Sequence, residues 1–250
     1  MNPIILYNNL LINGTLTSSA LASGYDVQNV KDYRPYTIAK FAAAGSNYIQ
    51  LDIAISTPVT TLAVCGHNFF TTGAALQLQS WNGTAWVNVT GGSITPANDN
   101  AFMLYFTSVS SAKFKLVIIN TVGLPFVGSL FIGAALLVEW PPSAPRAPYA
   151  EGIVADTEIS KSGNLLGSIL RYNPNDLSFS FTNLTRTWLK NNFLPFWNYA
   201  KTLKPFFFCL DYTTEPENVF YCTVKTEMQY AVQQSNLNYG DVQLTMNGWK

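Results

Sequence analysis

The feature that most constrains this chain is a strict two-residue alternation broken at short intervals by turn residues. In Tyr48-Ile49-Gln50-Leu51-Asp52-Ile53 every second side chain is apolar, so a strand here turns Ile49, Leu51 and Ile53 to a core and Gln50 and Asp52 outward. Leu76-Gln77-Leu78-Gln79 repeats the pattern. In Trp81-Asn82-Gly83-Thr84-Ala85-Trp86-Val87 an Asn-Gly turn lies between two aromatic strand ends, a strong short-range hairpin signal. Short strands at this spacing predict a β-sandwich.

The chain has enough apolar material for such a core and unusually little charge. Of 250 residues, 48% are hydrophobic and 11% are Asp, Glu, Lys or Arg, against about 25% in an ordinary soluble domain. Its polar surface must therefore be built from Asn, Gln, Ser and Thr. Fourteen basic and fourteen acidic residues cancel, leaving no net field to draw nucleic acid or an anionic membrane. A weakly charged exterior suits a subunit packed against neighbours, so a homo-oligomer is expected. Three cysteines, Cys65, Cys209 and Cys222, are too few for a disulfide scaffold and fit a reducing compartment. Cys209 and Cys222 could pair across neighbouring strands, although buried free thiols are the expected state. The start, Met1 to Tyr7, lacks the basic region of a secretory signal, which makes the sequons at Asn13, Asn82, Asn88 and Asn183 incidental.

No charged residue lies between Lys115 and Glu139, a length that could span a bilayer. Asn120, Gly123, Pro125 and Gly128 interrupt it, so it reads as two buried strands, Phe114 to Ile119 and Ser129 to Trp140, with no membrane insertion. Four prolines in residues 141–148 mark a stiff connector between a domain at 1–140 and a second at 149–250. In the second, strands are expected at Thr157 to Ser162, Leu165 to Tyr172, Leu177 to Asn183, Pro205 to Asp211, Val219 to Gln229 and Asp241 to Trp249. One helix is expected at Thr185 to Thr202: Leu189, Phe193, Phe196, Trp197 and Ala200 form one apolar face, Thr185 or Thr187 caps it, and Pro195 kinks it. The fold class is thus mainly β, a sandwich followed by a smaller β-rich domain with one helix.

Catalysis has little to draw on. His67 is the one histidine, and any nucleophile–base pair must use it. Cys65 lies two residues away, but no G-x-S-x-G elbow or second zinc-spaced Cys/His pair accompanies it. Cys65 is expected in the core, with Gly66-His67-Asn68 opening a loop. Asp26, Asp32 and Asp52 lack the clustered spacing of a calcium loop, so no metal is expected. Glu151, Asp156 and Glu158 read as solvated charges, and Glu215 and Glu217 as parts of a turn. No basic cluster interleaved with aromatics and no glycine-rich phosphate loop is present. No catalytic residue, cofactor or nucleic-acid partner is expected. Phe206-Phe207-Phe208 and Phe193 to Tyr199 are core or subunit contact. Trp81, Trp86, Tyr33 and Tyr36 lie in turns and loops, where a flat ring can stack on a sugar; they are the candidate glycan contacts.

The Tyr/Asp/Asn-rich loop from Gly24 to Tyr36, the alternating strand, and Leu62-Ala63-Val64-Cys65-Gly66-His67-Asn68-Phe69 resemble the N-terminal half of galactose-binding-like (discoidin-type) jelly-roll sandwiches in tail proteins of bacterial viruses. Ser129 to Trp140 looks like the last jelly-roll strand. The Pro-rich linker, hairpin, strand ending in Leu184-Thr185, aromatic helix and closing strands look like the small domain that follows it. The resemblance implies a jelly roll at 1–140. It also implies a non-enzymatic virion structural protein of a long-tailed bacteriophage, a connector or assembly subunit at the distal tail, tail tip or baseplate. Its partners would be tail tube, hub or baseplate proteins, and it would be assembled in the bacterial host cytoplasm and carried in the virion tail. The ring-forming domain comes first in the commonest distal-tail arrangement, unlike here. The alternative the residues offer is a carbohydrate-binding module or adhesin on a host-surface glycan.

Overall fold

A computed structural model describes residues 2–143, 150–172, 175–225, 229–232 and 238–250. The fold is mainly β, a sandwich and a smaller β-rich part with one helix, and the chain divides into two compact units. The first holds Met1–Val138, Lys204–Tyr221 and Lys250, and the second Glu139–Leu203 and Cys222–Trp249. Residues 204–221, expected in the second domain, thus belong to the first unit. Of the Pro-rich connector, residues 144–148 lie outside the described ones.

The first unit runs β1 (Ile4–Leu6), β2 (Thr15–Ser18), β3 (Ala39–Lys40), β4 (Gly45–His67), β5 (Ala75–Trp81), β6 (Trp86–Ile94), β7 (Phe102–Asn120), β8 (Phe126–Gly133) and β9 (Leu136–Leu137). Two strands, β4 and β7, are long enough to serve two layers. They pair from Gly45↔Asn120 to Asp52↔Lys113, then from Thr57↔Ser111 to Val64↔Phe102. Between these runs four residues, 53–56, stand against one, 112, and such an excess bends the ladder. The first half of β4 pairs with β2 and with the second half of β7, which pairs in turn with β5 and, through it, with β6; the second half of β4 pairs with the first half of β7 and with β8, which pairs with β3. Ile49 and Leu51 of one half share a buried cluster with Leu62, Val64, Leu76, Leu78, Leu104, Phe114, Leu130 and Ile132. The alternation read from the sequence is thus the inner face of a sandwich, with Ile53 packed at its margin.

The second layer is buried on both faces. Ala63, Cys65, Met103 and Phe131, the alternate residues of β4, β7 and β8, join a separate cluster with Ile4, Leu6, Phe207, Cys209, Val219 and Tyr221. Phe207 and Cys209 belong to a strand at Phe206–Cys209, which pairs with β1. Three layers therefore replace the expected two. The strand expected at Ser129 to Trp140 is divided into β8 and β9, with Gly133 against the carbonyl of Asn8: a Cβ there would sit 2.0 Å from that oxygen.

The second unit contains β10 (Ala150–Glu151), β11 (Val154–Ile159), β12 (Leu165–Tyr172) and β13 (Asn175–Thr185). After the strand of the first unit, β14 (Phe206–Cys209), comes β15 (Val219–Val224), whose residues 219–221 belong to the first unit and 222–224 to the second; β16 (Gln229–Val232) and β17 (Tyr239–Trp249) follow in the second unit. β13 pairs with β17 over most of its length and buries Leu177, Phe179, Phe181 and Leu184 beside Val242, Leu244 and Met246. The helical segment is α1 (Arg186–Trp188), a π turn (Leu189–Phe193) and α2 (Leu194–Ala200). Thr185 is its N-cap, accepting from the Trp188 N–H, and its own N–H and hydroxyl donate to the Glu139 carboxylate at 2.7 and 2.9 Å. Pro195 has no N–H, and its ring crowds the carbonyl four residues back. The turn before it widens, so that Leu194 N–H bonds Leu189 O. The distortion expected at Pro195 thus falls one turn earlier. Leu189, Phe193, Phe196 and Ala200 are buried as expected, and Trp197 is half-buried.

Candidate functional site

The outer face of the first sandwich layer gathers side chains from five strands. Inward residues fix which ones: with Ile49, Leu51, Leu76, Leu78, Phe114 and Leu116 in the core, the period of two sends their neighbours outward. The register aligns Thr17, Gln50, Lys115, Gln79 and Asn88 in one row across β2, β4, β7, β5 and β6. Beside it stand Asp52 opposite Lys113 on one flank and Tyr48 opposite Val117 on the other.

These side chains hold one another in place. Lys113 Nζ donates to Asp52 Oδ2 and Gln50 Nε2 to Asp52 Oδ1, both at 2.8 Å. Partial burial alone would raise the Asp52 pKa; the bonds from Lys113 and Gln50 and the lysine charge outweigh it and hold the carboxyl below its usual value. Gln79 Nε2 donates to Asn88 Oδ1 at 2.9 Å. The Lys115 ammonium lies 3.9 Å from the centroid of the Trp86 ring and 5.3 Å from that of Tyr48, within cation–π range of both. Desolvation lowers its pKa, and among the described residues it forms no ion pair. Trp81 packs its ring against the edge of Trp86 at 5.4 Å and 63°.

The hairpin tip that carries the two tryptophans is built as the sequence suggests. Asn82 Oδ1 accepts from the N–H of Thr84 and Ala85, and Gly83 takes a positive φ of 102°, a conformation that favours glycine. Trp81 O accepts from the Ser111 hydroxyl at 2.8 Å.

The other aromatic candidates lie elsewhere. Tyr33, at φ 68°, packs on Phe131 at 5.8 Å, and its carbonyl accepts from the Tyr221 hydroxyl at 2.9 Å. Tyr36 is 77% exposed on a loop tied by Asp32 to Arg34 and Thr37. No ring contact joins either tyrosine to Trp81 or Trp86. The two tryptophans are thus brought together, while Tyr48, Lys115, Gln50, Gln79 and Asn88 enter the site unforeseen. Alternation alone marks Gln50 and Gln79 as outward, but only strand order makes them neighbours.

The groups with catalytic potential are engaged in structure. His67 is buried: Phe69 N–H donates to Nδ1 at 3.2 Å and Nε2–H donates to Asn100 O at 2.8 Å, which fixes a neutral tautomer. Its ring stacks on Phe69 at 4.8 Å. Burial lowers its pKa more than Asn100 and Asp99 raise it. The Cys65 thiol is pushed up to about 12 by burial, so it stays protonated at neutral pH. Cys65, Cys209 and Cys222 are all buried thiols. Asp26 caps a helical turn through Gln28, Asp32 pairs with Arg34, and Asp52 with Lys113, so the three acidic residues weighed for calcium serve three different partners. Asp156 pairs with Arg171, and Glu215 accepts from Asn218 in the turn between β14 and β15.

No family model matches the chain, and no curated protein does. Solved structures share a loose likeness with about half of it. A chitosan-binding module of a Paenibacillus chitosanase/glucanase is 16% identical, with 50% of this chain and 98% of the module covered and a TM-score of 0.42. A Clostridium perfringens module in complex with GalNAc-beta-1,3-galactose is 16% identical, with 51% and 100% covered and a TM-score of 0.44. A structure named SpGH29 is 17% identical at a TM-score of 0.44, and this chain spans 28% of its length.

Proposed function

We propose that the chain is a non-enzymatic binding subunit that recognises carbohydrate through the outer face of its sandwich, in the setting of a host-contacting or connecting protein of a phage tail. The observation that carries the reading is the alignment of Gln50, Lys115, Gln79 and Asn88 in one row, flanked by Tyr48 and the Trp81–Trp86 pair. A sugar ring offers a flat apolar patch and a rim of hydroxyls; aromatic rings meet the first and amides the second. Because Asp52, Lys113, Gln79 and Asn88 are already fixed by mutual bonds, little side-chain entropy is lost when a ligand binds.

The tail setting rests on the sequence resemblance and on the 11% charged composition, which suits a packed subunit. Assembly with tail tube, hub or baseplate proteins belongs to the same proposal, as does location in the virion.

A glycan array followed by calorimetry tests it. A bound glycan should lose at least about tenfold in affinity, or about 1.4 kcal/mol, with Trp86→Ala, and Gln79→Ala should weaken it further, while Tyr36→Ala should not. Binding that survives Trp86→Ala, or an array with no bound glycan, would refute the sugar face.

A further inference from the structure

The hairpin of β11 and β12 forms a two-stranded sheet of its own, and from Ile153 to Arg171 every side chain except half-buried Ser160 is exposed. Its turn is well specified: Gly163 sits at φ 83°, Ser160 N–H donates to Asn164 O at 2.8 Å, and the Ser160 hydroxyl accepts from Asn164 N–H. A lone two-stranded ribbon is only marginally stable in water. Yet this one leaves Ile159, Leu165, Leu166 and Leu170 between 59 and 67% exposed.

The register sorts the residues onto two unlike faces. Asp156 and Glu158 stand opposite Ile169 and Gly167 on one, where Arg171 reaches back to Asp156. The other carries the pairs Ala155↔Leu170, Thr157↔Ser168 and Ile159↔Leu165, with Leu166 as the extra residue of the bulge beside the last. No residue of those three pairs is charged. A contiguous exposed apolar face of this kind marks an interaction surface.

We infer that this uncharged face is a self-association surface whose occupant is the same face of a second copy of the chain. Its shape matches itself. The small Thr157/Ser168 pair lies in the middle, bulky Ile159/Leu165 at one end and Ala155 beside Leu170 at the other. A two-fold axis through the middle pair sets the bulky end of one copy over the Ala155 end of the other, an isologous contact in which each pairing occurs twice. The charged faces stay in water. A buried Leu or Ile removes on the order of 100 Å² of apolar surface. The face therefore offers roughly 400–500 Å² per copy, and about 900 Å² for two, in the range of reversible, concentration-dependent association. The inference stands apart from the sugar face, which lies in the other unit.

Light scattering of the full chain across a concentration series tests it. The mass should rise from monomer to dimer, and Ile159→Asp with Leu170→Asp should hold it at monomer, whereas Glu158→Lys on the opposite face should leave it unchanged. Thr157→Cys, near the axis, should give a disulfide-linked dimer on mild oxidation, and Glu158→Cys should not; the native cysteines are buried and do not compete. A wild-type protein that stays monomeric, an oligomer indifferent to the paired Asp substitutions, or equal cross-linking from both cysteine positions would overturn the inference. Unchanged circular dichroism in the variants separates lost association from lost folding.

Discussion

Phe131→Ala tests whether the third layer of the first unit is part of its core. Phe131 is fully buried at the centre of the second cluster, with Phe207 at 5.1 Å edge-on, Tyr33 at 5.8 Å and Tyr221 at 6.2 Å. Truncating a buried Phe costs about 3–5 kcal/mol through lost transfer energy and the cavity left behind. Three aromatic neighbours place this site toward the upper end, since each such pair contributes about 0.5–1.5 kcal/mol beyond area. Phe207→Ala, on the strand contributed by residues 204–221, should cost a similar amount. The double variant should cost less than the sum by about 0.5–3 kcal/mol, the coupling expected of residues in contact. Urea unfolding of the full chain, followed by circular dichroism and fitted with a transition for each unit if two resolve, gives the three free energies. A Phe131→Ala loss below about 1.5 kcal/mol, or additive single losses, would mean that the layer carrying Phe207 is not packed on the sandwich.

Two further outcomes follow from individual residues. Burial holds the folded pKa of His67 below the ordinary histidine value of about 6.5, so the unfolded chain binds the extra proton first: its contribution to stability is complete above about pH 6.5 and declines as pH falls below that value. Thermal melts between about pH 5 and 8, a range that brackets the ordinary histidine value, should show this slope, and His67→Gln should flatten it; an unchanged slope would show that another group titrates. At Gly128, a Cβ would lie 2.1 Å from the carbonyl oxygen of Pro35. Gly128→Ala should therefore cost about 1–3 kcal/mol by overpacking, and a neutral effect on the urea midpoint would place the Pro35 loop further from β8.

Local pattern carried a large part of the fold. The alternation at Tyr48 to Ile53, the Asn82-Gly83 turn, the Thr185 cap and the apolar face of Leu189, Phe193, Phe196 and Ala200 each correspond to an element or burial found in the structure. The hairpin of β11 and β12 was legible as strands from 157–162 and 165–172, with the first shifted to Val154–Ile159. Its exposure was not, because Ile159 and Leu165 read the same whether a core or water covers them. The candidate site was half legible: Trp81 and Trp86 could be named from the turn between them, while Lys115 could not be paired with Trp86 by any rule of sequence spacing.

What the sequence determined by itself are properties that act within a few residues: strand period, turn chemistry, helix capping, the scarcity of charge and of groups fit for catalysis. Tertiary structure decided everything that depends on which strands become neighbours. It set the bend that lets β4 and β7 serve two layers, the third layer drawn from residues 204–221, and the row from Thr17 to Asn88. It also divided the hairpin into a charged and an uncharged face. The physical reason is that backbone preference and side-chain alternation are settled locally, whereas pairing across 60 or more residues, such as Asp52 with Lys113, is chosen by the burial and hydrogen bonding of the whole sheet at once.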